Sequence, residues 1–166
     1  MDEKQDLYTQ RLEKLAKIKE TEDPFKYAFP RSHTVRQAYD EYEKQKEAQV
    51  HTRVSLAGRL TALRLHGKSA FADFRDDSGK IQLFFGLQDL GADRYELLTK
   101  LINVGDFLGV EGEVFTTRTN QVTVRVSSFS LLTKTLRPLP EKWHGLKDIE
   151  IRLRQRYLDL LANVEV

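Results

Sequence analysis

The stretch that decides the fold is residues 70–86, which read AFADFRDDSGKIQLFFG. It predicts two strands, at 70–76 and 81–86, because their side chains alternate with the period of two of a half-buried strand. Asp77-Ser78-Gly79, between the two, is typical of a hairpin turn. The stretch therefore predicts a β-hairpin.

The alternation also assigns a face to each side chain of the hairpin. One face is small or apolar on both strands and is expected to enter the core. Its members are Ala70, Ala72, Phe74, Ile81, Leu83 and Phe85. The opposite face carries Phe71, Asp73 and Arg75 on the first strand and Gln82 and Phe84 on the second. Two aromatic side chains are therefore expected on the outer surface.

Working outward, three more strands are predicted at 50–60, 107–116 and 121–131, and a helix at 92–102. Gly58 indicates a bend or bulge in the first strand. Three strands, a helix and two strands is the order of an OB-fold, a small, partly open five-stranded barrel. A sandwich would need more strands, and a parallel α/β sheet would need a helix in every crossover. The fold class is mainly β with flanking helices.

The barrel is expected to span 50–136, between segments 1–49 and 137–166. The first segment is predicted to hold a helix ending before Asp23-Pro24, an aromatic loop at 24–30 that packs against something, and a second helix from an N-cap at Thr34 to about Glu47. The apolar face of that second helix is thin: Val35, Ala38, Tyr39 and Tyr42. The last segment is a proline-stiffened linker followed by an amphipathic helix at about 148–163.

Composition excludes several classes of protein. The chain has 27 basic and 25 acidic residues, four His and no Cys. The lack of cysteine excludes a disulfide scaffold, a Cys-ligated zinc site and thiol catalysis. The charged amino terminus and the absence of a long apolar run predict no secretory signal and no membrane span, hence a cytoplasmic protein. The net charge of +2 means that any nucleic-acid site must be a local patch.

The outer face of the hairpin is the candidate binding surface. OB-folds bind oligonucleotides on the second and third strands, and outward Phe71 and Phe84 offer stacking surfaces beside the amide of Gln82. The alternative is that the helix at 1–20 or the loop at 24–30 covers both rings. Arg64 and Lys68 flank the loop into the second strand, where they either contact phosphate or are ordinary solvated side chains.

The sequence offers little evidence for a metal site, a phosphate loop or a catalytic site. The four histidines, His33, His51, His66 and His144, have no metal-ligand spacing and no adjacent acidic partner. Asp76 and Asp77 are interpreted as turn formers rather than cation ligands. No glycine stretch matches a phosphate loop, and no nucleophile stands with a base. Neither a catalytic site nor a metal site is predicted in this chain.

Two long motifs near the carboxyl end carry a family resemblance. Residues 137–148 read RPLPEKWHGLKD and 154–160 read RQRYLDL. With the FP-x-x-HT element at 29–34, they closely resemble bacterial class II lysyl-tRNA synthetase at the junction between its anticodon-binding and catalytic domains. The family more often has an aromatic residue where this chain has Leu153.

The resemblance implies roles for particular residues. The family pattern R-x-x-G-K-x-x-F followed by I-Q-L-F occurs here at 64–71 and 81–84. It implies that Phe71 stacks on the central anticodon uridine, that Arg64 and Gln82 hydrogen-bond to it, and that Phe84 contacts a neighbouring base. Lys68 and Arg75 are expected to contact phosphate or to support the site.

The resemblance also implies partners that this chain would not hold alone. Family members continue through a catalytic domain that binds ATP, lysine and Mg²⁺ and forms a homodimer. The chain is therefore expected to be a truncated anticodon-binding domain that recognises the anticodon stem-loop of lysine tRNA, without a cofactor and inactive in aminoacylation by itself. Two other hypotheses stay open: a general single-stranded nucleic-acid binder, and a structural or protein-interaction domain.

Overall fold

The structure is a computed structural model that describes residues 3–46, 52–137 and 149–162. Among these residues, no helix combines the length and the apolar character that crossing a membrane requires. The elements are α1 Glu3–Lys19, α2 Val35–Lys46, β1 Arg53–His66, β2 Ser69–Arg75, β3 Lys80–Gly86, α3 Leu87–Leu90, α4 Ala92–Lys100, β4 Phe107–Thr116, β5 Val122–Thr133, α5 Ile149–Arg154 and α6 Arg156–Ala162.

The five strands close into a barrel in the order β1-β2-β3-β5-β4. Neighbouring strands are antiparallel except β3 and β5, which run parallel, and the pairing of β1 with β4 completes the ring. Helices α3 and α4 connect β3 to β4. The predicted five-stranded OB-fold with a helix between the third and fourth strands is confirmed.

The core lies inside this barrel and consists of the inward-facing side chains of all five strands. Each large apolar side chain removed from water contributes about 1.5–3 kcal/mol to stability. The fully buried members include Leu56, Leu60, Phe74, Ile81, Leu83, Phe85, Leu108, Val110, Val124, Val126 and Leu131. The hairpin contributes the inner face that its alternation predicts.

Several element boundaries differ from the predictions. Strand β1 continues to His66, whereas the sequence pattern ended it at Leu60; its predicted start at Val50 and His51 lies outside the described residues. Before the predicted helix at 92–102, the short helix α3 occupies residues 87–90. The two helices are separated at Gly91, whose φ of +80° breaks the helical path, and α4 ends at Lys100.

The amino terminus of α2 carries a capping box, which confirms Thr34 as its N-cap. The backbone N–H of Gln37 donates to the Thr34 hydroxyl at 3.2 Å, and the N–H of Thr34 donates to the Gln37 amide oxygen at 2.8 Å. Two of the N–H groups that a helix start leaves without a partner are satisfied in this way. The predicted end of the helix at Glu47 lies outside the described residues.

The β2–β3 turn supplies acceptors for the other two N–H groups. Val35 donates to a carboxylate oxygen of Asp76 at 2.8 Å, and Arg36 donates to the Ser78 hydroxyl at 3.0 Å. The other Asp76 oxygen accepts the N–H groups of Ser78 and Gly79, as expected of a turn former. The hairpin turn therefore also fixes where α2 begins.

From its first residue onward, α2 lies on the barrel through the thin apolar face that the sequence predicted. Val35 and Ala38 are buried in the core cluster, and Tyr39 and Tyr42 pack against it. The Tyr42 hydroxyl is 2.7 Å from that of Thr116, and the Tyr39 hydroxyl donates to the Lys80 carbonyl. Because most of the contact is made by four residues, the polar hydrogen bonds matter to the docking.

The aromatic loop at 24–30 packs on β4 and β5. Phe25 forms an isolated antiparallel bridge with Thr133, and the N–H of Lys26 donates to the Leu132 carbonyl. The ring of Phe29 lies so close to Gly109 that a Cβ at that position would come within 2.5 Å of it. The prediction that this loop packs against another element is confirmed.

The chain forms two compact units, of which residues 12–135 are one and the described parts of 1–11 and 136–166 are the other. In place of the single helix predicted at about 148–163, the described residues 149–162 form the two short helices α5 and α6. They are separated at Gln155, whose carbonyl accepts the N–H of Leu158 only three residues ahead. Within this unit Arg152 donates to the buried carboxylate of Asp159 at 2.7 Å.

The division into segments 1–49, 50–136 and 137–166 stays a prediction, and residues 138–148, most of the predicted linker, lie outside the described residues.

We predict that Asp76→Ala lowers the free energy of unfolding by about 1–3 kcal/mol, since it leaves the N–H groups of Val35, Ser78 and Gly79 without their acceptor. Burial alone raises the pKa of Asp76, but these hydrogen bonds outweigh it and hold the pKa below its usual value. The stabilisation is therefore complete above the unfolded-state pKa and is lost as pH falls through the lower folded-state pKa.

Urea denaturation between neutral and acidic pH measures both effects. Asp77→Ala is the matched control, because the Asp77 side chain is exposed, and it should stay within about 0.5 kcal/mol of the wild type. Equal losses in the two variants would contradict the capping role of Asp76.

Candidate nucleic-acid interface

Most of the predicted site residues line an open groove on the outer surface of the barrel. Its volume is about 790 Å³, within the range of roughly 300–1,000 Å³ that ligand sites occupy. It includes Arg64, Phe71, Gln82 and Phe84, all four predicted base-contacting residues. It also includes residues that sequence reasoning did not identify: Glu113, Phe115, Thr117, Arg118, Thr119 and Arg125.

Two rows of paired residues across the strands build this surface. In the first row Arg64 pairs with Phe71, Phe71 with Phe84, and Phe84 with Arg125. In the second, Asp73 pairs with Gln82, Gln82 with Thr123, and Thr123 with Phe115. Side chains that are directly opposite on paired strands lie close together on one face, so strand register alone brings these groups into contact.

A bulge in β1 puts Arg64 on the outer face. Leu60 lies opposite Phe74 and Ala62 lies opposite Asp73, which leaves Thr61 as an extra residue. Leu60 points into the core, and an unbroken period of two would send Arg64 there as well. The extra residue reverses the alternation. Arg64 therefore lies on a strand, not beside a loop as the sequence suggested.

Three phenylalanine rings form a nearly continuous aromatic surface. The ring centroids of Phe71 and Phe84 are 5.2 Å apart with an interplanar angle of 57°. Those of Phe84 and Phe115 are 6.5 Å apart and nearly perpendicular, at 82°. His66 adds an edge contact to Phe71 at 6.2 Å. This packing of ring against ring fixes the orientation of the aromatic side chains. The side chains of Phe71, Phe84 and Phe115 are each half-buried.

The aromatic loop does not cover these rings. Its contacts with Gly109, Leu132 and Thr133 lie on β4 and β5, and none of the described residues between 12 and 30 lines the groove.

An ion pair holds the Arg64 guanidinium against its neighbouring strand. Its Nη2 lies 2.8 Å from a carboxylate oxygen of Asp73, and the ammonium of Lys80 lies 3.4 Å from the other oxygen. The hydrogen bond from Arg64 is the main cause that lowers the pKa of Asp73, and it raises the pKa of Arg64 in turn. The guanidinium is therefore oriented before any ligand arrives.

Arg125 is held in a similar way on the far side of the aromatic row. Its Nε and Nη2 donate to the two oxygens of Asp89 at 3.0 and 2.7 Å, a bidentate geometry. This hydrogen bonding raises the pKa of Arg125. Asp89 belongs to α3, the helix that the sequence did not reveal, so only the fold could indicate this pair.

The β4–β5 turn forms the remaining wall of the groove. Thr117, Arg118 and Thr119 line it, and Asn120 completes the turn with a φ of +60°. The hydroxyl of Thr117 accepts the N–H of Gln121 at 3.1 Å. The sequence indicated only a connection at this turn, although the OB-fold loop between the fourth and fifth strands is a known ligand-contacting position.

The two residues predicted to contact phosphate or to support the site, Lys68 and Arg75, are not among the residues that line the groove. Lys68 is exposed in the β1–β2 turn next to Gly67, which has a φ of +59°. Arg75 is exposed at the end of β2, opposite Arg59 and Lys80. Both side chains are accessible to a ligand that extends beyond the groove.

The described residues contain no group of three or more His, Asp or Glu that could hold a metal ion. Of the histidines, His51 and His144 lie outside the described residues. His33 does have an acidic partner, contrary to the sequence interpretation. Its Nε2 is 2.6 Å from a carboxylate oxygen of Glu41, which lies one to two turns along α2.

Comparison with known proteins matches most of the barrel to a family of nucleic-acid-binding domains. The tRNA anti-codon family, described as an OB-fold nucleic acid binding domain, matches residues 54–132. The chain is 48% identical over 157 residues to a "Lysine--tRNA ligase" of Carboxydothermus hydrogenoformans, covering 94% of this chain and 31% of the relative. The protein of the same name from Moorella thermoacetica is 46% identical over 170 residues, covering 100% and 33%. The chain thus spans about a third of the length of these curated relatives.

We predict that Asp73→Asn costs less than about 1 kcal/mol in the free energy of unfolding, because the pair with Arg64 is partly exposed and screened by solvent. The loss should shrink further in about 1 M salt. Because the pKa of Asp73 is lowered, this contribution is present at neutral pH and disappears as pH falls through the folded-state pKa.

Urea denaturation at low and high salt checks this prediction, with Asp77→Asn as the control for removing an exposed aspartate charge. A loss of several kcal/mol that salt leaves unchanged would mean that Asp73 supports the fold itself rather than orienting Arg64.

Proposed function

We propose that this chain is part of a lysine–tRNA ligase, the name of relatives that are 46–48% identical to it, and that its groove binds the anticodon loop of lysine tRNA. The match of residues 54–132 to the tRNA anti-codon family supports this proposal. The proposed purpose of the binding is selection of the correct tRNA by the parent enzyme. One observation carries the proposal above the others: Phe71, Phe84 and the amide of Gln82 lie side by side in one open groove.

The chemistry of an unpaired RNA loop matches this surface. Splayed bases stack on aromatic rings and offer their Watson–Crick edges to amides and guanidiniums. In our proposal Phe71 stacks on the central uridine, while Arg64 and Gln82 hydrogen-bond to its edge. Phe84 contacts a neighbouring base. Lys68 and Arg75, outside the groove, contact the phosphates on either side of it.

The charges support base recognition over bulk attraction of phosphate. Three arginines and one glutamate line the groove, and Asp73 and Asp89 each pair with one of those arginines. Positive and negative groups are therefore equal in number among these side chains. A ligand gains affinity here by stacking and by edge contacts, as single-stranded RNA does.

Aminoacylation itself is proposed for the parent enzyme and not for this chain alone. An ATP-dependent lysine–tRNA ligase needs sites for ATP, lysine and Mg²⁺, and the described residues offer no cluster suited to a divalent cation. We propose that these sites, and the contacts of a homodimer, belong to the rest of the relatives' length.

A second candidate function is general binding of single-stranded nucleic acid. The aromatic row favours it, because every base has a face that stacks. It differs from the first proposal in predicting equal affinity for all loop sequences. A structural or protein-interaction domain would show no RNA binding at this groove.

We predict that this chain binds the anticodon stem-loop of lysine tRNA more tightly than a stem-loop with a scrambled loop, and that Phe71→Ala costs about 1–3 kcal/mol of that affinity. Fluorescence anisotropy titration measures both values. Phe25→Ala is the matched control, an exposed aromatic outside the groove. Wild-type affinity in Phe71→Ala would contradict the stacking role, and equal affinity for both loops would favour the general binder.

We also predict that Lys68→Ala weakens binding evenly for every loop sequence and lowers the slope of log affinity against log salt by about 1, the effect of losing one phosphate contact. The same titration at several salt concentrations measures the slope. The matched control is Lys44→Ala, which removes an exposed lysine of α2 and should leave the slope unchanged. An unchanged salt slope in Lys68→Ala would show that this lysine is only solvated.

A further inference from the structure

The side-chain amide of Gln82 is hydrogen-bonded to a hydroxyl that is buried from solvent. Thr123, its partner on β5, is fully buried and donates from Oγ1 to the Gln82 amide oxygen at 2.9 Å. Resting on the proposed function, we infer that Thr123 is a positioning residue: it fixes which end of the Gln82 amide faces the groove and thereby sets the choice between uracil and cytosine.

Hydrogen-bond accounting assigns the direction of this contact. The Thr123 hydroxyl has one proton and two acceptors within reach, the Gln82 amide oxygen at 2.9 Å and the Gln121 carbonyl at 3.1 Å. The Gln121 carbonyl already accepts the N–H of Thr117 at 2.9 Å. The Gln82 atom that faces the hydroxyl is its amide oxygen, which only accepts, so the Thr123 hydroxyl is the donor in this contact. The Gln82 oxygen is also the closer of the two acceptors and has no other donor among the described residues.

Because the amide oxygen of Gln82 accepts the hydrogen bond from Thr123, its amino group faces the groove. An amide nitrogen donates hydrogen bonds and accepts none. It can pair with O4 or O2 of uracil, whereas the amino group that cytosine carries in place of O4 would meet a second donor. Both bases carry O2, so the held amide favours uracil over cytosine where it meets position 4, which is O4 in uracil and an amino group in cytosine. The inference therefore places the Gln82 amino group at position 4 of the base.

Without the hydroxyl, nothing among the described contacts distinguishes the two ends of the amide. Rotation by a half turn about the last side-chain bond would present the oxygen, which accepts from the amino group of cytosine. Phe71 and Phe84 pack beside Gln82 but carry no polar side-chain atom that could substitute for Thr123. A valine at this position retains the branched shape of threonine and removes only the hydrogen bond.

The test compares stem-loops with a central uridine or cytidine on the wild type, Thr123→Val, Thr123→Ser and Gln82→Ala. We expect the wild type to prefer uridine. In Thr123→Val that preference should fall about fivefold, the effect of one net hydrogen bond, and the change should come mainly from tighter binding of cytidine. Thr123→Ser should restore the preference, because it restores the hydroxyl.

Two further readouts separate positioning from a general structural effect. The double variant Gln82→Ala/Thr123→Val should show no more loss of preference than Gln82→Ala alone, since Thr123 acts through Gln82. In ¹H–¹⁵N spectra of the free chain, the Gln82 side-chain amide signals should shift in Thr123→Val and return in Thr123→Ser.

The experiment distinguishes failure of the positioning role of Thr123 from failure of the proposed function. If the wild type binds neither stem-loop, the proposed function is wrong and the inference falls with it. If the wild type prefers uridine and Thr123→Val keeps the full preference, only the positioning role is overturned. A wild-type preference for cytidine would overturn the assigned direction of the hydrogen bond. An equal loss of affinity for both loops in Thr123→Val would identify Thr123 as merely structural.

Discussion

The extra residue at Thr61 decides which side chains of β1 belong to the core and which to the groove. Ahead of it, Leu60 faces Phe74 inside the barrel; beyond it, Arg64 faces Phe71 outside. The Thr61 hydroxyl donates to the Asp73 carbonyl at 3.1 Å, which ties the bulge to the strand that carries its partner. The ion pair between Arg64 and Asp73 and the guanidinium at the edge of the aromatic row both depend on this reversal.

The hairpin could be predicted from sequence because its two strands follow one period without interruption. The alternation of side chains alone therefore predicted that Phe71, Gln82 and Phe84 lie on the outer face of the hairpin. In β1 the predicted alternation holds from Arg53 to Leu60, but the bulge that follows leaves no mark in the composition. The bend or bulge predicted at Gly58 stays a prediction; the register shift lies a few residues later, between Leu60 and Ala62. Gly58 makes room for the Arg75 carbonyl, which a Cβ would approach to 2.6 Å. The alternation of side chains predicts which face each residue occupies only up to the first bulge in a strand.

The other half of the groove was beyond sequence reasoning for a different reason. Phe115, Thr123 and Arg125 come from the last two strands of the barrel, and the parallel pairing of β3 with β5 brings them alongside the hairpin. Nothing local marks a threonine as buried under a glutamine, or an arginine as the partner of Asp89 in a short helix. These relations are created by barrel closure, so they become visible only when the order of strands is known.

The two Arg–Asp pairs on either side of the aromatic row have a kinetic consequence. An approaching polyanion meets a groove in which Arg64 and Arg125 are already paired, so the long-range attraction that accelerates encounters between opposite charges is weak here. Discrimination among ligands then resides in how long each stays, which stacking and edge contacts determine. Under the proposed function, a surface of this kind would sample many RNA loops briefly and retain few, as selection of one tRNA among many requires.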